Sequence, residues 1–169
     1  PKQWLNPRDE AELITQLRAA PGAVRVTGAS HSFSALCKTD DTLFSLDHLS
    51  GIVSHDAVTD RATLWAGSRL RDIGEPLWAI GQAFSNQGDV NPQSIGGACG
   101  TSTHGTGPTL GSFSSMVRGV RLVTPEGEVI EANAEKDADI FHAASTSLGA
   151  LGIVTQFTLQ NRAPYKLQE

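Results

Sequence analysis

The chain has 169 residues, of which 39% are hydrophobic and 18% charged, a balance typical of a soluble folded domain rather than a disordered segment. Its 13 Lys and Arg against 18 Asp and Glu give a net charge of −5, which argues against nucleic acid as a partner because phosphate backbones bind basic surfaces. No apolar run approaches the ~18 residues of a membrane span, and the N-terminus has no signal-peptide pattern, so we predict a cytoplasmic protein.

The first third of the chain predicts a small β-α-β-β lobe. Asn6 followed by Pro7 is typical of a helix start, with Asn as the N-cap and Pro at the first helical position. An apolar stripe at helical spacing follows, and Gly22 can end the helix. The lobe is completed by three predicted strands, at residues 24–27, 42–46 and 51–55.

The rest of the chain predicts a larger lobe. Pro125-Glu126-Gly127 has the composition of a hairpin turn between two strands. The predicted elements are a strand at 61–67, a helix at 70–81, the hairpin strands 117–123 and 128–132, a helix at 136–148 and a strand at 152–159. The predicted fold class is therefore α+β, with a small lobe at about residues 1–57 and a larger mixed or antiparallel sheet with flanking helices at about 58–169.

Two glycine- and hydroxyl-rich segments, each with one histidine, are the strongest functional signal. The first glycine segment, residues 28–33, follows a predicted strand, and the second glycine segment covers residues 94–107. Both are almost free of bulk and charge, which suits a backbone that donates N–H groups to a large anionic ligand. The first has neither the G-x-G-x-x-G spacing nor a following helix pattern, and it lacks a Walker A lysine, so Rossmann and P-loop sites are disfavoured.

The two cysteines and the histidines predict no metal site. Cys37 and Cys99 are far apart and form no C-x-x-C pair. They are interpreted as buried thiols, with one disulfide as the alternative. The five histidines show none of the spacings expected of metal ligands.

The glycine segments and their surroundings resemble the FAD-binding domain of the vanillyl-alcohol oxidase and para-cresol methylhydroxylase superfamily. Within it, the chain is most similar to the sugar-lactone and alditol oxidases, which include gulonolactone and arabinonolactone oxidases. The likeness runs in order along nearly the whole chain. It is carried by residues 24–32, 85–86, 94–97, 103–107 and 147–154.

The resemblance implies FAD as the cofactor and identifies residues that would hold it. The stretch 27–32 would wrap the pyrophosphate and the flavin edge, with His31 bonded covalently to the 8α-methyl of the isoalloxazine. Ser94, Gly97 and residues 101–104 would contact the pyrophosphate and ribityl chain. Ile153 would meet the adenine or flavin end. The implied set is Thr27, Gly28, Ala29, Ser30, His31, Ser32, Asp89, Ser94, Gly97, Thr101, Ser102, Thr103, His104 and Ile153. At Asp89 this chain departs from alditol oxidase, in which a serine is usual.

The implied function is oxidation of a C–OH group of a sugar lactone or polyol, with hydride transfer to flavin N5 and reoxidation by oxygen or another acceptor. Catalytic side chains are expected in a C-terminal substrate or cap domain that is absent after Glu169, so the chain by itself is expected to bind FAD and to catalyse little. Two alternatives remain open. One is the same fold acting on another alcohol or an amine, and the other is a stand-alone flavin-binding module without catalysis.

Overall fold

The smaller of two sheets is parallel. A computed structural model describes residues 1–166 of the chain. The sheet has the order β1 (Gln3–Leu5), β3 (Thr42–Ser45), β2 (Val24–Thr27), with helix α1 (Glu10–Ala19) connecting β1 to β2. All four residues of β3 are buried, because a central strand of a parallel sheet is covered on both faces.

Helix α1 begins later than the sequence pattern predicts. Its N-cap is Asp9, whose carboxylate accepts a hydrogen bond from the backbone N–H of Glu12 at 2.8 Å. The prediction of an N-cap at Asn6 was therefore wrong, since an aspartate further along satisfies the free N–H groups of the first turn. Strand β1 was not predicted, because three residues carry no periodicity and this strand depends on pairing with β3.

The larger sheet is antiparallel, with the order β4-β5-β8-β6-β7. Its long central strand β8 alternates strictly between buried and half-buried residues, as expected when only one face packs on a core. A parallel sheet beside an antiparallel one confirms the predicted α+β class. The strands are β4 (Ile52–Asp56), β5 (Arg61–Trp65), β6 (Val117–Val123), β7 (Val129–Asn133) and β8 (Ile153–Gln160).

Strand β4 belongs to the larger sheet and not to the small lobe in which it was expected. It pairs with β5 through a tight turn, in which the Asp56 carboxylate accepts the backbone N–H groups of Val58 and Thr59. This turn returns the chain along the same sheet. The chain therefore passes from one sheet to the other between residues 45 and 52, rather than near residue 57.

Helix α3 (Ile95–Gly100) lies where a loop was predicted. Ser94 caps it by accepting the backbone N–H of Gly97 at 3.1 Å. Its three glycines disfavour a helix, but the buried Ala98 and Cys99 fasten it to the core. The other helices are α2 (Leu70–Ala79), α4 (Phe113–Met116) and α5 (Ala138–Ala144), the last of them shorter than predicted.

The predicted hairpin is confirmed by the antiparallel pairing of β6 with β7. Gly127 in its turn has φ +78°, a conformation that favours glycine. No helix within residues 1–166 combines the length and the apolar character required to cross a bilayer.

A half-buried ion pair joins α1 to the larger sheet. The guanidinium of Arg121 donates to Oε2 of Glu10 at 2.8 Å and to Oε1 at 3.0 Å, and the Thr155 hydroxyl donates to Oε1 at 2.6 Å. Burial by itself raises the pKa of Glu10, but these hydrogen bonds and the Arg121 charge outweigh it, so the net effect is a lowered pKa. The pair therefore stabilises the fold while Glu10 is ionised.

We expect Glu10→Gln to lower the free energy of unfolding at pH 7 by about 1–3 kcal/mol, because it leaves the half-buried Arg121 charge short of a partner. Urea unfolding measures this difference. Since the folded-state pKa of Glu10 is lowered, its contribution is fully present above the ordinary glutamate value of 4.5 and is lost as the pH falls through the folded-state pKa. The gap between parent and variant should therefore shrink between pH 7 and pH 3.

The matched control is Glu131→Gln, which removes an exposed carboxylate that pairs with the same arginine. It should lower the free energy of unfolding by no more than about 1 kcal/mol. A Glu10→Gln effect equal to that of the control, or independent of pH, would contradict this account of the ion pair.

Candidate functional site

The ends of the two sheets enclose a cavity of about 540 Å³, a size typical of ligand-binding pockets. The carboxyl ends of the parallel strands β2 and β3 open into it, the edge at which α/β sheets commonly bind ligands. The end of β5 and the start of β8 meet it from the larger sheet, where the N–H of Ala66 donates to the carbonyl of Thr155 at 2.8 Å. The start of α3 completes the wall.

The first glycine segment forms one side of the cavity as an irregular turn with unpaired amides. No backbone N–H from residues 29 to 34 donates a hydrogen bond to another residue within the described range 1–166. Ser30, with φ 57°, is in the left-handed region, which costs a non-glycine residue about 1–3 kcal/mol and is concentrated at functional sites. Successive free N–H groups in such a turn form a concavity that attracts anions.

Two glycines allow the walls of the cavity to approach closely. A Cβ at Gly28 would lie 2.5 Å from the Ser94 hydroxyl oxygen, and a Cβ at Gly67 would overlap the backbone carbonyl oxygen of Leu46. The first contact joins the two glycine segments, and the second joins the ends of β5 and β3. Glycine is needed at both positions for reasons of space.

The start of α3 offers no free backbone donors to a ligand. The N–H of Ile95 donates to Ser68 at 2.9 Å and that of Gly96 to Ala66 at 2.8 Å, while the N–H of Gly97 is used by the Ser94 cap. The part of the second glycine segment that lines the cavity therefore presents hydroxyl groups, whereas the first segment presents free amides.

The cavity wall carries almost no charge. Asp47 is the single carboxylate among the described lining residues, which include no lysine or arginine. Arg69 forms an ion pair with Asp47 and offsets its charge. An anion would thus be held by peptide dipoles and not by a cationic side chain.

The two cysteines differ in their positions, and both are free thiols. Cys37 is half-buried and lines the cavity. Cys99 is fully buried in α3, and burial raises the pKa of its thiol. Cys99 therefore acts as a small packing residue.

The structure brings most of the predicted cofactor residues to this cavity. Residues 27–32, together with Ser94, Gly97, Thr101, Thr103 and Ile153, all line it. His31 is exposed at the cavity wall and adjoins the strained Ser30.

Three predicted residues lie outside the described lining. Ser102 hydrogen-bonds to the Ser112 and Ser114 hydroxyls at 3.0 and 2.6 Å, which directs it into a turn. The imidazole Nδ1 of His104 lies 2.9 Å from the backbone oxygen of Gly105. Asp89 is exposed on the preceding loop. The resemblance placed Ser102 and His104 in the predicted set, but only Thr101 and Thr103 of residues 101–104 are among the lining residues.

Sequence reasoning missed several lining residues. Those following the first segment and strand β3 carry no sequence signal, because their position depends on how the sheets pack. The stretch 147–153 did carry a signal, since it has two glycines and belongs to the segment 147–154 that carries the family resemblance. The lining residues outside the predicted cofactor set are Val26, Phe33, Ser34, Leu36, Cys37, Leu46, Asp47, Ala66, Gly67, Gln93, Gly96, Gly100, Ser147, Leu148, Gly149, Gly152, Val154 and Phe157.

Known proteins share this sequence over most of its length. L-gulono-1,4-lactone dehydrogenase of Mycobacterium tuberculosis is 39% identical over 163 residues, covering 95% of this chain and 37% of that protein. D-arabinono-1,4-lactone oxidase of Eremothecium gossypii is 36% identical over 167 residues, covering 95% of this chain and 31% of that protein. L-gulonolactone oxidase of Bos taurus is 30% identical over 172 residues, covering 100% and 39%. The chain thus spans less than half the length of these curated relatives.

Solved structures share the fold. A chitooligosaccharide oxidase aligns with a TM-score of 0.84 and 19% identity over 96% of this chain and 36% of that chain. A xylooligosaccharide oxidase from Myceliophthora thermophila aligns with a TM-score of 0.84 and 20% identity over the same shares. A family profile described as an FAD binding domain matches residues 1–133. The chain therefore belongs to the family of FAD-binding domains, as its resemblance to the vanillyl-alcohol oxidase superfamily predicted.

Proposed function

We propose that this chain is the cofactor-binding part of an FAD-dependent oxidoreductase that oxidises a C–OH group of a sugar lactone. The unpaired amides of residues 29–34 at the cavity carry the proposal. The substrate class rests on relatives named lactone oxidases and dehydrogenases.

The residues of the cavity fit an FAD molecule. Amides 29–34 would hold the pyrophosphate, because N–H dipoles bind anions without the need for a lysine. The Thr101 and Thr103 hydroxyls would face the ribityl chain, and Ile153 the adenine or flavin end. When bound, FAD supplies the acceptor for hydride, while the protein orients it and controls its surroundings.

The proposal assigns residues 1–169 to FAD binding, with a lobe on either side of the cavity, and places the substrate domain outside them. Its support is that this chain covers only 37% of the Mycobacterium tuberculosis relative and 31% of the Eremothecium gossypii relative. Oxygen or another electron acceptor, a polyol as the alternative substrate and a cytoplasmic location belong to the same proposal. The chain alone would bind FAD and catalyse little.

His31 is proposed as the covalent attachment site. It is exposed at the cavity wall, and the neighbouring left-handed residue Ser30 fixes the direction of the turn. Attachment forms a bond between an imidazole nitrogen and the 8α carbon of the flavin. Two protons and two electrons leave in the process, and the electrons pass to oxygen or another acceptor. A neutral imidazole nitrogen is a competent nucleophile for this bond.

We predict that acid precipitation of the FAD-loaded parent leaves yellow flavin in the pellet, whereas His31→Ala releases it to the supernatant. The reason is that only a covalent bond survives unfolding. Absorbance of the pellet measures the retained flavin, and absorbance of the supernatant measures the released flavin. His55→Ala is the matched control, because His55 lies on β4 and is not among the lining residues. Full release of flavin by the parent would refute the attachment while leaving FAD binding intact.

Gly28→Ala should weaken FAD binding at least about tenfold. The new Cβ would lie 2.5 Å from the Ser94 oxygen, so either the Ser94 cap is displaced, at a cost of about 1 kcal/mol, or the first segment shifts and moves its amides. Flavin fluorescence titration in the His31→Ala background measures the dissociation constant.

The control for this glycine substitution is Gly74→Ala within α2, where a Cβ meets no atom within 4 Å. It should leave FAD affinity unchanged and stabilise the helix by about 1 kcal/mol. If Gly28→Ala bound FAD as tightly as Gly74→Ala, the close contact would have no role in shaping the site.

The substrate proposal predicts that L-gulono-1,4-lactone bleaches the flavin under anaerobic conditions when this chain is joined to its substrate domain. Reduction of the flavin removes its visible absorbance, which measures hydride transfer. Sorbitol and a primary amine serve as comparison substrates. Bleaching by one of these in place of the lactone would assign another substrate, and a flavin inert to all three would indicate a binding module.

A further inference from the structure

Gln93 lies at the cavity between two fixed points of the backbone. Its carbonyl oxygen accepts the N–H of Leu70 at the start of α2, at 2.9 Å. The next residue, Ser94, caps α3 and pairs with Arg69 in an isolated β-bridge. The backbone therefore holds the Gln93 side chain at the cavity wall.

A chain of hydrogen bonds sets the orientation of the Gln93 amide. The Thr101 hydroxyl donates to the backbone oxygen of Gly97 at 2.8 Å, so its proton is already used. In its 3.4 Å contact with the Thr103 hydroxyl, Thr101 must therefore accept. Thr103 then has a free lone pair, which accepts from Gln93 Nε2 at 3.1 Å. The amide nitrogen therefore faces Thr103, and the amide oxygen takes no part in this chain of hydrogen bonds.

The Oε1 atom of Gln93 is covered and has no hydrogen-bond partner among the described residues. A covered acceptor without a partner costs about 1–3 kcal/mol. The same side chain lines the cavity, and the last torsion of a glutamine is broad, so its terminal amide can readjust to a donor there. A donor that enters through the cavity would restore the missing bond.

We propose that Gln93 Oε1 accepts a hydrogen bond from a ribityl hydroxyl of bound FAD, an inference that rests on the proposed function. Of the two cofactor groups expected against this segment, the pyrophosphate carries no donor at neutral pH, and its oxygens would be repelled by Oε1. The ribityl chain carries hydroxyls that can donate. Gln93 thus fixes which part of the cofactor lies here, and the pyrophosphate lies at the free amides of residues 29–34.

The test compares FAD with ADP, which has the pyrophosphate and adenosine but no ribityl chain. Dissociation constants are measured by titration calorimetry in the His31→Ala background, so that covalent attachment does not mask release. Gln93→Met keeps the length of the side chain and removes the acceptor. The control is Gln16→Met, since Gln16 on α1 also carries an unpartnered buried Oε1 but is not among the residues that line the cavity.

The expected result is a loss of about tenfold in FAD affinity for Gln93→Met, with ADP affinity within twofold of the parent. Unchanged ADP binding also demonstrates that the variant is folded. Equal FAD affinity for Gln93→Met and the parent, or an equal loss for FAD and ADP, would overturn the inference. A parent that binds no FAD would refute the proposed function instead.

Discussion

The close approach of the two sheets is the constraint on which the cavity depends. Gly67 at the end of β5 lies against the Leu46 carbonyl, and Gly28 at the end of β2 lies against the Ser94 hydroxyl. A side chain at Gly67 would meet backbone atoms, and one at Gly28 would either displace the Ser94 hydroxyl that caps α3 or move the first glycine segment. The cavity is thus built from contacts that only glycine permits.

Backbone amides govern the electrostatics of the site. The described lining contains no lysine or arginine, and the free amides of residues 29–34 provide the positive potential instead. Arg69 neutralises the single lining carboxylate, Asp47, from outside the described lining. Peptide dipoles held in a fixed turn need no reorganisation when an anion arrives, which favours tight binding of a dinucleotide.

The two sheets contribute differently to the site because of their strand directions. In the parallel sheet, the ends of β2 and β3 lie at the same edge, so the chain segments that follow both strands reach the cavity. In the antiparallel sheet, the end of β5 lies beside the start of β8, so segments far apart in sequence meet there. The Glu10–Arg121 ion pair holds α1 against the larger sheet and helps to fix the relative positions of these edges.

Local patterns in the sequence determined most of the elements, the fold class and the two glycine segments that face the cavity, because alternation, turn residues and low side-chain bulk act within a few residues of one another. Tertiary structure alone decided that β4 joins the larger sheet, that residues 95–100 form a helix despite three glycines, and that the Gln93 oxygen lacks a partner among residues 1–166. It also left Ser102 and His104 outside the described lining of the cavity. These outcomes depend on contacts between residues distant in sequence, such as Ser94 with Gly28, Gly96 with Ala66 and Ile95 with Ser68, whose energies outweigh local preference.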